Sequence, residues 1–493
     1  MEEFTSALRR LKAFNRMVAH HPELSARLVG GEHDFLQWRQ ASLFSAFREY
    51  HLRPVEALRV AETEAKITPG LAAAGLVACA LTAWAAAFRK ADVMVFSVDK
   101  ISSKGGRDFR LEGLYRFLET EGLAYVEIFH ARLGRAFFRH AWARKRSAVY
   151  HEAFDFAAMI RFRHRGDAEA RRIASALPCE EFDEADRPFV RALAEKMLRG
   201  IVVSRFRIRW YRRVIARLRP KAILSIDDTR HYHEACAAAR SLGIPFHAFQ
   251  HGHFTKYHVG WFSAEAGGSD GMRPDTLHVW SPYWKKELLR LGTNFKEGEI
   301  RIGGDPKGDM KSSEAKPYIP PPVDGPIELL VPFETEAPRD EIVRDLKKLA
   351  DSGKVKIWLK TRPDWDVRVQ MRLYGLEGAD PARAEAVADA ASVLDRIHAV
   401  LGVYTSYLYD VLAMRKPVFV LKTSMDGLDG MVLNGLADGF DASAPDAAKR
   451  LADACREAAP KLAERAAKYL EGSGDLMTTL EGLGLGGSKE RRR

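Results

Sequence analysis

Short apolar runs that end in polar residues punctuate this chain, and helix-spaced apolar positions follow most of them. Residues 222–226 form such a run, ending at Asp227 and Asp228. An alanine-rich stretch follows, and a second run closes at Gln250-His251-Gly252. This reads as strand, helix, strand, with polar residues at the carboxyl end of each strand, the edge where open α/β sheets bind ligands. Further strand-like runs are VMVFSV (93–98), AYVEIFHA (124–131) and LHVWS (277–281), and IRIGGDPKGD (300–309) closes this half. Helical spacing covers most of 1–60, then 71–88, 111–121 and 283–291, and much of 132–219.

Beyond a proline-rich stretch, KPYIPPPVDGP (316–326), the alternation becomes more regular. It predicts strands at 327–333, 355–360, 399–404 and 417–421, and helices at 339–351, 382–397, 406–414 and 444–470. Continuous apolar strands alternating with helices predict parallel sheets covered on both faces. The expected class is α/β: two Rossmann-like domains facing across a cleft, with extra N-terminal helices and a basic helical insertion. The boundaries drawn are an N-terminal helical segment (1–60) and a first Rossmann-like domain (61–315) with its insertion at about 132–219. A linker stiffened by proline (316–326), a second Rossmann-like domain (327–475) and a tail (476–493) complete the chain. A length of 493 residues suffices for two cores.

Charge changes this picture in one region. The formal net charge is +11, and the excess gathers in Arg144-Lys145-Arg146, in Arg161 to Arg165, and along Arg199, Arg205, Arg207, Arg209, Arg212, Arg213, Arg217, Arg219 and Lys221. In the last group Met197, Ile201, Ile208, Tyr211, Ile215 and Leu218 keep helical spacing until Pro220. The arginines form either a solvated helix face or an attractor for an anionic acceptor, an anionic membrane surface or nucleic acid. No RRM, KH or helix-turn-helix pattern accompanies them, which argues against nucleic acid as a partner.

Four cysteines (Cys79, Cys179, Cys236, Cys455) lie far apart without a CxxC pair. That speaks against a disulfide framework or zinc site and fits a reducing compartment. The charged N-terminus lacks the apolar centre of a signal peptide, so the expectation is a cytoplasmic protein, its basic region open to peripheral contact at the inner face of a membrane. The stretch 71–88 is apolar except for Thr82. It is mostly alanine and glycine, which gain little from lipid, so a buried core helix is expected ahead of a membrane span.

Several strand ends carry candidate chemistry. His251 precedes a glycine that leaves room for a ligand, and imidazole is a competent general base near pH 7. The alternative is a hydrogen-bonded structural histidine. Asp227 and Asp228 are further base candidates, one of which could instead cap the next helix. Lys360 and Arg362 leave a buried strand in KTRP and suit phosphate or carboxylate, or surface ion pairs. YTSYLYD (404–410) opens a helix that Thr405 or Ser406 would cap, directing free N–H groups at an anion. SSKGGRD (102–108), with Ser103, Lys104 and Arg107, is either an acceptor or phosphate loop or an ordinary solvated loop. GGDPKGD (303–309) reads first as a hinge and second as a ligand contact. No GxSxG, HExxH, kinase set, EF-hand or strand-end DxD is present, so no metal ligand set is assigned.

Together, IPFHAFQHG, IRIGGDPKGD, KTRP and YTSYLYDVLAMRKPVFVL resemble the GT-B glycosyltransferases. More narrowly, they are similar to the bacterial capsule and surface polysaccharide transferases and the CDP-glycerol glycerophosphotransferases. The resemblance spans roughly 220–425, with weaker coverage of 92–130. It implies transfer of a sugar from a nucleotide-sugar, a substrate rather than a cofactor, to a glycan, lipid-linked or protein acceptor without a metal. It implies His251 as base or in the acceptor site, with Asp228 as the alternative base, and Lys360, Thr405 and Ser406 at the donor phosphates. By their position Arg362 and Asp410 join the phosphate group, and Gln250, Ser103, Lys104 and Arg107 an acceptor or loop region. The family often has histidine where this chain has Arg362, and glutamate where it has Asp410. A CDP-polyol phosphotransferase, a sugar-nucleotide epimerase and a basic nucleic-acid or membrane-surface binding protein are the alternatives.

Overall fold

The computed structural model describes residues 2–62, 90–98, 108–130, 148–150, 161–162, 166–227, 232–262, 272–307, 317–322, 325–335, 337–362, 365–425 and 429–486, with single positions at 70, 73, 77, 81 and 158. Asp228, Ser103, Lys104 and Arg107 lie outside these residues, as do most of 71–88 and much of 131–165. Among the described residues no helix is long and apolar enough to cross a membrane.

Two sheets carry the architecture. The first holds β1 (Val93–Val98), β2 (Tyr125–His130), β3 (Ala148–Tyr150), β4 (Ala222–Ile226), β5 (Phe246–Phe249), β6 (Thr276–Val279) and β7 (Ile300–Ile302). Their order is β3-β2-β1-β4-β5-β6-β7, every pairing parallel. The second holds β8 (Ile327–Pro332), β9 (Val355–Lys360), β10 (Ala384–Val387), β11 (Ala399–Gly402), β12 (Val418–Leu421) and β13 (Asp438–Phe440). Its order is β10-β9-β8-β11-β12-β13, again all parallel. Each sheet reverses direction of growth once, between β1 and β4 and between β8 and β11. Ligand crevices of doubly wound sheets form outside the carboxyl ends of strands at such switch points. β4 and β5 are buried along their whole length, as a sheet covered on both faces requires.

The helices 2–20, 22–28, 35–52 and 54–62 pack on the first sheet's domain. Phe4 and Phe44 meet Tyr257 at centroid distances of 4.9 and 6.3 Å, and Gln37 donates to the carbonyl of Phe262 at 2.7 Å. This segment therefore braces the loop that follows β5. The helix Arg187–Leu218 buries Met197, Ile201, Ile208, Tyr211, Ile215 and Leu218, the stripe expected from its spacing. Several of its arginines have partners inside the fold: Arg191 donates to the carbonyl of Leu177, Arg199 pairs with Asp167, and Arg207 pairs with buried Glu234.

Four elements differ from expectation. Residues 382–397, expected as helix, form β10 and a single 3₁₀ turn at Ala390–Ser392. The alanine-rich run favours helix locally, but an open edge of β9 offers ladder hydrogen bonds, and those decide the outcome. β3 and β13, also unforeseen, add short strands at two sheet edges. Residues 476–485, assigned to the tail, are helical, and Leu476, Leu480 and Leu485 pack with Leu114, Phe117 and Leu118 of the first domain. The chain thus crosses back at its end. That return explains Gly304, and the neighbouring β6 explains Gly303. A Cβ on Gly304 would lie 2.7 Å from the carbonyl oxygen of Gly474, and one on Gly303 would lie 2.6 Å from the His278 Cβ. Cys179, Cys236 and Cys455 are buried and unbridged.

Candidate active site

β4 and β5 run side by side, with Ile226 paired to Phe249, so the residues just past them emerge together. Asp227 is buried there. Its Oδ1 accepts the backbone N–H of His251 at 2.9 Å and also the Nδ1–H of the His251 ring. This pair orients the imidazole, with Nδ1 turned to the carboxylate and Nε2 away from it. The His251 side chain is 32% exposed while that of Asp227 is 4% exposed, so the ring reaches solvent and its partner does not. The carboxylate in contact with His251 is therefore Asp227, one of the two expected base candidates; Asp228 lies outside the described residues.

Gln250 occupies a different place from that expected. It is fully buried, and its amide oxygen accepts the N–H of Trp280 at 3.0 Å while its amide nitrogen donates to the carbonyl of Gly252 at 2.7 Å. Its backbone oxygen accepts the indole N–H of Trp280 at 2.8 Å. Gln250 is a brace between β5 and β6 that shapes the turn bearing His251, not a residue presented to an acceptor.

The second sheet contributes its own carboxyl edge. Lys360 ends β9, half-buried, with Nζ 4.8 Å from the ring centroid of Tyr407. Burial pushes its pKa down and Arg362 adds to that, while Asp410 and Asp389 oppose it. The backbone of Arg362 is clamped by Gln370, which accepts its N–H at 2.8 Å and donates to its carbonyl at 2.9 Å. Past β11, Thr405 Oγ1 accepts the N–H of Tyr407 at 3.2 Å and so caps the short helix Tyr407–Ala413. Ser406 makes no side-chain cap. Asp410 lies in that helix, its pKa raised by burial and drawn back down by Lys307 and Lys360. Lys307 belongs to GGDPKGD in the first half, so one carboxylate feels a lysine from each half of the molecule.

The two edges meet. The rings of His253 and Tyr404 are 4.9 Å apart and edge-on, and Thr255 Oγ1 lies 3.4 Å from the Tyr404 hydroxyl. Away from the site, Tyr283 and Tyr409 share a 3.2 Å hydroxyl contact, Trp284 donates to Tyr469 at 3.1 Å, and Asn434 donates to Glu287 at 2.9 Å. Residues 251–255 and 404–410 thus line one junction. Thr405, Ser406 and Asp410 lie on its second edge with Lys360 close to Tyr407, and His251 lies on the first, two residues before His253.

Sequence reasoning passed over three residues here. Glu334, two positions past β8, accepts the backbone N–H groups of Val403 (2.7 Å) and Tyr404, and so fixes the turn leading to Ser406. Its signal was its place at a switch-point strand end. Tyr404 opens the YTSYLYD motif and His253 follows QHG, but neither motif assigns them a role of their own. Among the described residues no group of three His, Cys, Asp or Glu side chains is arranged to hold a metal ion.

Two doubly wound parallel sheets joined carboxyl edge to carboxyl edge make this a two-domain α/β protein of the GT-B arrangement. No protein-family model matches the sequence, and no curated protein does. Solved structures similar to it include a glycotransferase of kitacinnamycin (13% identity, covering 80% of this chain and 99% of that one, TM-score 0.48). MurG of Acinetobacter baumannii is another (11% identity, 80% and 99% covered, TM-score 0.42). A third is the UDP-GlcNAc 2-epimerase of Neisseria meningitidis bound to UDP-GlcNAc (12% identity, 80% and 99% covered, TM-score 0.44). At these scores the assignment of architecture rests on the strand orders described above.

Proposed function

We propose that this protein is a nucleotide-sugar-dependent glycosyltransferase working by direct, metal-independent displacement. The observation that carries the reading is the junction itself: a solvent-reaching imidazole oriented by a buried carboxylate on one sheet edge, joined to a lysine-bearing edge on the other. The acceptor is a hydroxyl of a glycan, lipid-linked molecule or protein. Its proton passes to His251 Nε2 while Asp227 holds the Nδ1 side and stabilises the imidazolium that forms. The acceptor oxygen bonds to the anomeric carbon as the bond from that carbon to the phosphate oxygen breaks. The electron pair leaves on the nucleotide phosphate, whose charge Lys360, Arg362 and Lys307 offset, with the Thr405–Ser406 turn beside it. Closure of the two domains about the proline-rich strap excludes the water that would otherwise hydrolyse the donor.

Thermal-shift titration against UDP-, GDP-, CDP- and CMP-linked donors tests the reading. A donor that stabilises wild type and does not stabilise Lys360→Ala is the expected result. Nucleotide protected elsewhere than beside Lys360 and Ser406 would overturn the site. Consumption of donor without any acceptor would replace transfer by epimerisation.

A further inference from the structure

His253 takes no part in the proton transfer just described, yet it sits two residues past the base. Its ring is buried, and its Nε2 has no hydrogen-bond partner within the protein. Leaving a buried polar nitrogen unpaired costs free energy, so such an atom calls for a partner. Burial holds the imidazole pKa well below its ordinary value, and His258 and His251 push it the same way. The ring is neutral at pH 7, with one N–H and one lone pair. That suits a hydroxyl or an amide and offers no charge to a phosphate. Part of its cover comes from the opposite half: the Tyr404 ring stands edge-on at 4.9 Å, and the His258 ring is 5.7 Å away on its own side. Separation of the halves would take the Tyr404 ring away from His253 and open this side of the imidazole. Tyr404 also leads directly into Thr405 and Ser406. A sugar whose phosphate lies at Lys360 and that turn, and whose anomeric carbon faces His251, has its ring where His253 and Tyr404 meet.

We infer that His253 Nε2 hydrogen-bonds a hydroxyl or amide of the transferred sugar, with Tyr404 as the wall against the sugar face, and so selects for the sugar part of the donor. The inference rests on the donor reading above. It is tested by calorimetric titration of the full chain with UDP, GDP and CDP and with their glucose conjugates. Wild type is expected to bind one conjugate about tenfold tighter than its bare nucleotide, the scale of a single hydrogen bond. His253→Phe brings that ratio to about one and leaves bare-nucleotide affinity within about twofold. A ratio near one in wild type, or an undiminished ratio in His253→Phe, overturns the role of His253 while leaving the nucleotide site standing. Failure of all six compounds to bind wild type overturns both. Melting curves establish that the variant is folded; should it not be, His253→Gln must lower the ratio at least about threefold, and an unchanged ratio overturns the inference.

Discussion

Replacing Glu334 by glutamine separates the electrostatics of the donor-side turn from its shape. The carboxylate is buried and accepts two backbone N–H groups, from Val403 and Tyr404. Gly402 lets it close in, since a Cβ there would lie 2.8 Å from Oε1. Burial pushes its pKa up from 4.5 to about 7 although both amides favour the charged form. A carboxyl whose folded pKa lies above its unfolded one contributes stability below about pH 4.5 and loses that contribution as pH rises through about 7. The difference of about 2.5 in pKa, at about 1.36 kcal/mol per unit, bounds the loss at roughly 3 kcal/mol. Glutamine does not ionise, so this pH dependence vanishes. Its NH₂ must also face one of the two N–H donors, at a pH-independent cost of about 1–3 kcal/mol. Melting temperatures of both proteins, followed by tryptophan fluorescence from pH 5 to 8, read the difference. The variant should start less stable and gain on wild type by about 3 °C across the window, at about 1 °C per kcal/mol for a chain of 493 residues. Curves that run parallel would refute the assignment of a protonatable Glu334 beneath the turn.

His251→Ala is expected to lower transfer by about 10²-fold or more, the scale of a lost proton acceptor, and near-wild-type turnover would remove His251 from that role. Asp227→Asn should lower kcat by about 10²-fold with KM little changed, because the asparagine can present its NH₂ to Nδ1 and favour the wrong tautomer; an equal rise in KM instead would point to a purely structural carboxylate. EDTA should leave transfer intact, because Lys307, Lys360 and Arg362 are placed to offset the leaving phosphate's charge; loss restored by Mg²⁺ or Mn²⁺ would contradict this.

The sequence by itself determined the alternating α/β class, most of the strands, the buried stripe of the helix Arg187–Leu218 and the two strand-end motifs holding His251 and Lys360. These depend on local periodicity and on turn chemistry, which neighbouring residues settle. Tertiary structure alone decided the identity of the carboxylate beside His251. Asp227 and Asp228 are chemically equivalent in sequence, and the register of β4 against β5 selects the one that meets the ring. It also decided that Gln250 faces inward, because β6 supplies Trp280 as its partner. The conversion of 384–387 to strand, the return of 476–485 to the first domain and the meeting of His253 with Tyr404 have the same cause. Each depends on surfaces brought together from distant parts of the chain, and the energy of those contacts is absent until both surfaces are built.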